Sequence, residues 1–166
     1  MLSFDPIDEA RRQWRVHGWG DAAPAMAVVT SIVRVQQLLM ARVDAALKPH
    51  GLTLARYEVL MLLTFSRTGS LPLGKIGQRL QVHPASVTNA IDRLERERLV
   101  RRTPHPTDGR TTLAALTAKG RTVADRATVD MNDLFRSLDL PDLFEPLREV
   151  RGAAGDFARF SSDVST

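Results

Sequence analysis

Residues 73–117 read LGKIGQRLQVHPASVTNAIDRLERERLVRRTPHPTDGRTTLAALT. Leu73, Ile76 and Leu80 recur at helical spacing and predict a short helix over about 73–80. Gly77 on its flank permits close approach of a neighbouring helix. Only Gln81-Val82-His83-Pro84 separates this helix from a second stripe, Val87, Ile91 and Leu94, over about 84–97. Two short helices with so tight a joint make a helix-turn-helix. Two β-prone runs follow, flanking a centre of Pro, Thr, Asp, Gly and Arg, which is the pattern of a hairpin. A helix-turn-helix followed by a hairpin is a winged helix. In such a unit the second helix enters the DNA major groove, with its N-terminal residues nearest the base edges.

The expected DNA-facing residues follow. They are Lys75 on the first helix, and His83, Pro84, Ser86, Thr88, Asn89, Arg93 and Arg96 on the second. Arg98, Arg101 and Arg102 stand at the base of the wing, with Asp108, Gly109, Arg110 and Thr111 at its tip. Arg110 is expected to enter the minor groove, where negative potential is concentrated. Asp108 is expected to orient the Arg110 guanidinium by bidentate pairing. Gly109 is expected to supply the turn conformation. Arg101 and Arg102 are expected to reach phosphates.

The charge distribution points the same way. The chain of 166 residues carries 23 Lys and Arg against 19 Asp and Glu, a net charge of +4. Residues 75–110 hold eight bases and four acids, so this window contains the whole excess. A local basic field on a neutral body suits a polyanion. The other reading of the same charges is a solvated helix face laced with ion pairs.

The length suits one domain, or a small domain with appended helices. The composition, 43% hydrophobic and 25% charged, is that of an ordinary globular protein. The absence of cysteine excludes a thiol redox switch, a disulfide framework and a thiolate metal site within the chain. It is compatible with a reducing cytoplasm, the expected location. The start, MLSFDPIDEARRQW, has no apolar signal core. No apolar run is expected to reach the roughly 20 residues that span a membrane.

Outward from the winged helix, both flanks read as helical. Asp5-Pro6 starts a short helix that runs to about His17. Pro24 opens a longer one with Val28, Ile32, Val35, Leu39, Val43 and Leu47 on one stripe, stopped by Lys48-Pro49-His50-Gly51. Thr53 caps a third, with Tyr57, Leu60 and Leu63 inward, and Arg67-Thr68-Gly69-Ser70 is a turn. Thr117 caps a long helix over about 118–138 carrying Val123, Met131, Leu134, Phe135 and Leu138. Asp139-Leu140-Pro141 breaks it, and a last helix over about 142–160 carries Phe144, Leu147, Val150, Ala154, Phe157 and Phe160. The fold class is therefore mainly α with a small β-wing. Residues 53–117 are the winged-helix unit, 24–50 and 118–162 the dimerisation helices, and 1–20 an extra N-terminal helix. The long stripes exceed what the central unit can cover, and a second copy of the chain is the simplest partner.

The runs LTLARYEVLMLL, LGKIGQRLQVHPASVTNAIDRLE and LVRRTPHPTDGRTTLAALTAKG resemble the MarR family of bacterial transcriptional regulators. The family's Asp-x-Arg wing tip is matched by Asp108-Gly109-Arg110. Its Leu-Thr-x-x-Gly helix start is matched by Leu116-Thr117-Ala118-Lys119-Gly120. The resemblance covers about residues 25–160 in order and element type, most strongly 53–120. It implies a homodimer whose first long helix and C-terminal helices interlock. It further implies a palindromic double-stranded operator near a promoter, usually repression, and release by a small molecule bound between dimer base and winged helix. One departure is Arg98, where the family usually has Gly before the first wing strand. A left-handed Arg there costs on the order of 1 kcal/mol, so this junction is expected to end differently, with Arg98 free for a phosphate.

The helix carrying Trp14 is similar to a urate-responsive branch of the family, in which such a Trp packs near the ligand and an acid lies on the helix matching 53–65. Trp14 and Glu58 are the ligand-binding candidates on that resemblance. That branch also has an Arg where this chain has Ala90. The alternative role for Trp14 is to pack the extra helix onto the dimer base. His17, His50, His83 and His105 form no i, i+4 pair, so no metal site is expected and no cofactor is implied. There is no Gly-rich phosphate loop or nucleophile–base motif of an enzyme. The remaining rival is a dimeric ligand-binding or interaction protein that retains a winged helix without using it on DNA.

Overall fold

The caps read from the sequence close as expected. The Asp5 carboxylate accepts from the backbone N–H of Ile7 and Asp8, and helix α1 spans Pro6–Val16. The computed structural model describes residues 3–138 and 140–155. Helix α1 packs along α2 (Ala23–Leu47). Pro49 turns the end of α2 into a 3-10 turn, Lys48–His50, and Gly51 leaves it at φ +67°. Thr53 Oγ1 accepts from the Arg56 N–H and starts α3 (Leu54–Phe65). Helix α4 (Leu73–Leu80) and helix α5 (Pro84–Arg96) form the helix-turn-helix. Gly77 does what its place suggested: a Cβ there would lie 3.3 Å from Val87 Cγ2 of α5.

The wing is a three-stranded antiparallel sheet of β1 (Ser70–Pro72), β2 (Val100–Pro104) and β3 (Thr112–Leu116), in the order β1-β3-β2. Strand β1 falls where the sequence suggested a turn and a helix start. Three residues ending in Pro carry no readable alternation; the strand forms because β3 offers it a free edge, pairing Leu71 with Ala114. Thr117 Oγ1 accepts from the Gly120 N–H and starts α6 (Ala118–Leu138). Helix α6 returns across α2 and α3. It is tied there by Arg42 donating to Ser137 Oγ (2.8 Å), by His50 against Asp130 (2.7 Å) and by the Tyr57 and Thr128 hydroxyls, 3.0 Å apart. The core at this junction is Leu47, Val59, Leu60, Leu63, Ile76, Ile91, Leu94, Val100 and Met131, all essentially buried.

The C-terminal end differs from the sequence reading. A 3-10 turn, Pro141–Leu143, precedes α7 (Phe144–Ala153). The expected apolar positions Phe157 and Phe160 lie outside the described residues. The stripes expected to be covered by a partner are open to solvent: Val28 is 54% exposed, Phe135 53% and Phe144 60%. The expectation about membrane length needs correction. Residues 23–50 form a helix long and apolar enough, by length and composition, to cross a membrane. Its last turns instead carry Val43 and Leu47 into the core.

Candidate nucleic-acid interface

Helix α5 presents one polar face. His83 is its N-cap, and His83 Nδ1 accepts from the Ala85 N–H (3.2 Å) while Pro84 fills the first turn. Thr88 donates back to the Pro84 carbonyl (3.1 Å), and Thr88, Ser86, Asn89 and Arg93 are all exposed. Arg96 Nε donates to the Asp92 carbonyl (3.2 Å) and keeps an exposed guanidinium. Lys75 on α4 meets Arg110 and Thr111 of the wing across an open groove that also takes in Gln78, His105 and Thr112. Of the expected residues, Lys75, Arg110 and Thr111 therefore line one groove.

Three wing residues behave differently from expectation. Arg102 is not free for a phosphate. Its guanidinium forms ion pairs with Asp92 and Glu95 of α5, and its backbone N–H donates to Glu95 Oε1 (2.9 Å). That N–H, then the guanidinium, holds the Glu95 carboxyl below its ordinary range. Arg101, one residue earlier, is exposed. Asp108 does not pair with the Arg110 guanidinium. It accepts from the Thr111 hydroxyl (2.6 Å) and the Arg110 backbone N–H (3.0 Å), an Asx-type turn, and these bonds hold its carboxyl below the usual value. Gly109 has no positive φ, and a Cβ there would meet nothing, so Asp108 rather than Gly109 shapes the tip.

Arg98 is also corrected. It adopts the left-handed conformation at φ +60° after all. The Arg98 N–H bonds to the Glu95 carbonyl (2.9 Å) and the Leu99 N–H to the Leu94 carbonyl (2.8 Å), a Schellman end. Buried Leu94 and Leu99 and the Thr117 hydroxyl on the Arg98 carbonyl (2.8 Å) hold it there. The Arg98 side chain stays exposed.

The acids of the basic window are thus engaged: Asp92 and Glu95 by Arg102, Glu97 by Arg56 (3.0 Å), Asp108 by its own loop. Lys75, Arg79, Arg93, Arg96, Arg98, Arg101 and Arg110 remain exposed. Ion pairs take up part of the charge and leave the remaining cations at the surface. The inward partners Asp92 and Glu95 were missed as site residues; their i, i+3 spacing on α5 was the available signal.

The two ligand candidates are not joined within one chain by any hydrogen bond. Trp14 packs edge-on to Trp19 (5.8 Å between ring centroids), with His17 stacked on Trp19 (5.9 Å). Glu58 sits half-buried on α3, where burial raises its carboxyl above the usual value.

A helix-turn-helix followed by a small antiparallel sheet defines the winged-helix class, which binds DNA. Residues 52–112 match the sequence profile of the MarR family. Sco5413, a MarR family transcriptional regulator from Streptomyces coelicolor, is 52% identical with a TM-score of 0.73, over 81% of this chain and 97% of its own. Sco3205, from the same organism and solved in complex with DNA, is 25% identical with a TM-score of 0.72, over 82% and 92%. CouR from Rhodococcus jostii RHA1, solved bound to p-coumaroyl-CoA, is 25% identical with a TM-score of 0.68, over 79% and 94%. The chain belongs to the MarR family of transcriptional regulators.

Proposed function

We propose that the protein is a cytoplasmic repressor that binds a palindromic operator as a homodimer and is released by a small-molecule effector. The observation that carries the DNA-binding reading is the sorting of charge. Across α4, α5 and the wing the acids are engaged within the protein, while seven cations face solvent. An interaction protein that had stopped using its winged helix would have no need of that arrangement.

In this reading residues 53–117 form the DNA-binding unit, 24–50 and 118–162 the dimerisation helices, and 1–20 an accessory helix. Helices α2, α6 and α7 each leave large apolar side chains open to solvent, which suits an interaction surface. One occupant, a second copy, accounts for all three, whereas a membrane would take only α2. Two-fold symmetry then sets two recognition helices on half-sites about one turn, 34–36 Å, apart. Trp14 and Glu58 are proposed to contact the effector, and the ligand bound by CouR supports the existence of an effector. A ligand there acts only if its affinity differs between the free and the DNA-bound shape.

The test is selection of duplexes from a random-sequence pool, followed by binding across a salt series and sedimentation of the free protein. The expected result is an enriched inverted repeat bound by a species of twice the 18.4 kDa chain mass. A stable monomer, or binding to all duplexes alike, overturns the reading.

A further inference from the structure

Arg102 lies on β2, the outer strand of the wing sheet. Its backbone N–H faces away from β3 and would be an open edge donor; Glu95 Oε1 of α5 closes it at 2.9 Å. The guanidinium of the same residue grips the other oxygen of Glu95 and the carboxylate of Asp92. Asp92 and Glu95 are i, i+3 neighbours on α5, so a planar fork can hold both at once. The Arg102 side chain is only 28% exposed. One residue therefore ties the wing to the recognition helix and pairs with two carboxylates on that helix.

We propose that Arg102 is a positioning residue for operator recognition, acting through the placement of the wing against α5 and not through contact with DNA. The proposal rests on the DNA-binding reading above. Helix α5 and the tip residue Arg110 engage neighbouring grooves only if their separation is fixed before binding. Without the guanidinium only the backbone bond to Glu95 fixes this part of β2 to α5, and two negative charges are left unpaired beside Arg93 and Arg96. Affinity for the operator then falls, while the set of phosphate contacts stays the same.

The experiment measures full-length variants on two probes, the duplex selected by the wild type and a random-sequence duplex, across a salt series. Arg102→Ala is expected to lower the ratio of selected to random affinity at least about tenfold, the scale of one lost specific contact. Its slope of log affinity against log salt should stay within about half a unit per chain of wild type, because no phosphate contact is lost. Asp92→Asn with Glu95→Gln keeps the shape and one acceptor oxygen on each side chain, so it reports even if Arg102→Ala fails to fold. It should bind the random duplex more tightly, having lost two negative charges, yet show a reduced ratio. Arg102→Lys keeps the charge without the fork. It should recover random-duplex affinity but not the ratio, a pattern that simple loss of stability does not produce. A slope shallower by about one unit per chain in Arg102→Ala would mean a direct phosphate contact and overturns the proposal. An unchanged ratio in the Asp92→Asn, Glu95→Gln protein also overturns it. A wild type that selects no sequence refutes the DNA-binding reading instead.

Discussion

Gly120 lies in the first turn of α6, where the chain leaves the wing. A Cβ there would stand 2.0 Å from the Leu99 carbonyl oxygen, 2.9 Å from its carbon and 3.0 Å from Leu116 Cδ1. A carbon and an oxygen ordinarily approach to about 3.3 Å, so the turn would have to retreat by roughly 1.3 Å. The same carbonyl accepts from the Thr117 N–H (3.1 Å) and hydroxyl (3.0 Å), and the Gly120 N–H donates to Thr117 Oγ1 (2.9 Å). Retreat therefore opens the cap that starts α6. Overpacking costs about 1–3 kcal/mol and loss of a cap about 1, so Gly120→Ala should destabilise by roughly 2–4 kcal/mol. For a chain of this size that lowers the melting temperature by about 5–15 °C. Gly74→Ala is the control. Gly74 has no positive φ and nothing within 4 Å of a Cβ, and alanine is the better helix former, so stability should hold or rise slightly. Urea unfolding at one fixed protomer concentration measures both. If Gly120→Ala lies within about 0.5 kcal/mol of wild type, a level typical of unremarkable surface sites, the α6 junction has slack and the packing reason for this glycine is wrong.

Four further outcomes are expected. Arg110→Ala should lose DNA affinity and make the salt slope shallower by about one unit per chain, as read by fluorescence anisotropy; an unchanged slope would remove Arg110 from the phosphates and the minor groove. Asp108→Ala should weaken binding although it removes a negative charge, because the Arg110 N–H and Thr111 hydroxyl lose their acceptor, and Asp108→Asn should retain most of the affinity. The Asp108 carboxyl is held below its ordinary 3.8, so its hold on the tip is complete above that pH and lost as pH falls through the lower folded value; the Thr111 resonances followed by NMR should show no transition above about pH 4. Arg98→Gly should raise stability by about 1 kcal/mol by relieving the left-handed backbone while weakening DNA binding, and loss of stability would mean that the side chain, not the backbone, governs that junction.

Element limits were legible because caps and periodicity are local. Leu73–Leu80 and Pro84–Arg96 follow from two apolar stripes and a His-Pro start, and Thr117 announces α6 by its own hydroxyl. Strand β1 was hidden because its cause is the free edge of β3, more than forty residues away in sequence. The same distance hid the roles of the arginines. A run of charges along a sequence says nothing about which carboxylate stands opposite. Still, Arg101 and Arg102 were separable in principle. Successive strand residues face opposite sides, and Val100 is buried, so Arg102 had to turn toward the protein and needed acids there. The only acids on the preceding helix at a spacing that suits one guanidinium are Asp92 and Glu95. A guanidinium that faces inward and consumes two carboxylates leaves its exposed neighbours less opposed. The field at the surface of α5 and the wing is then set by which side each charge takes, and a net count of +4 understates it.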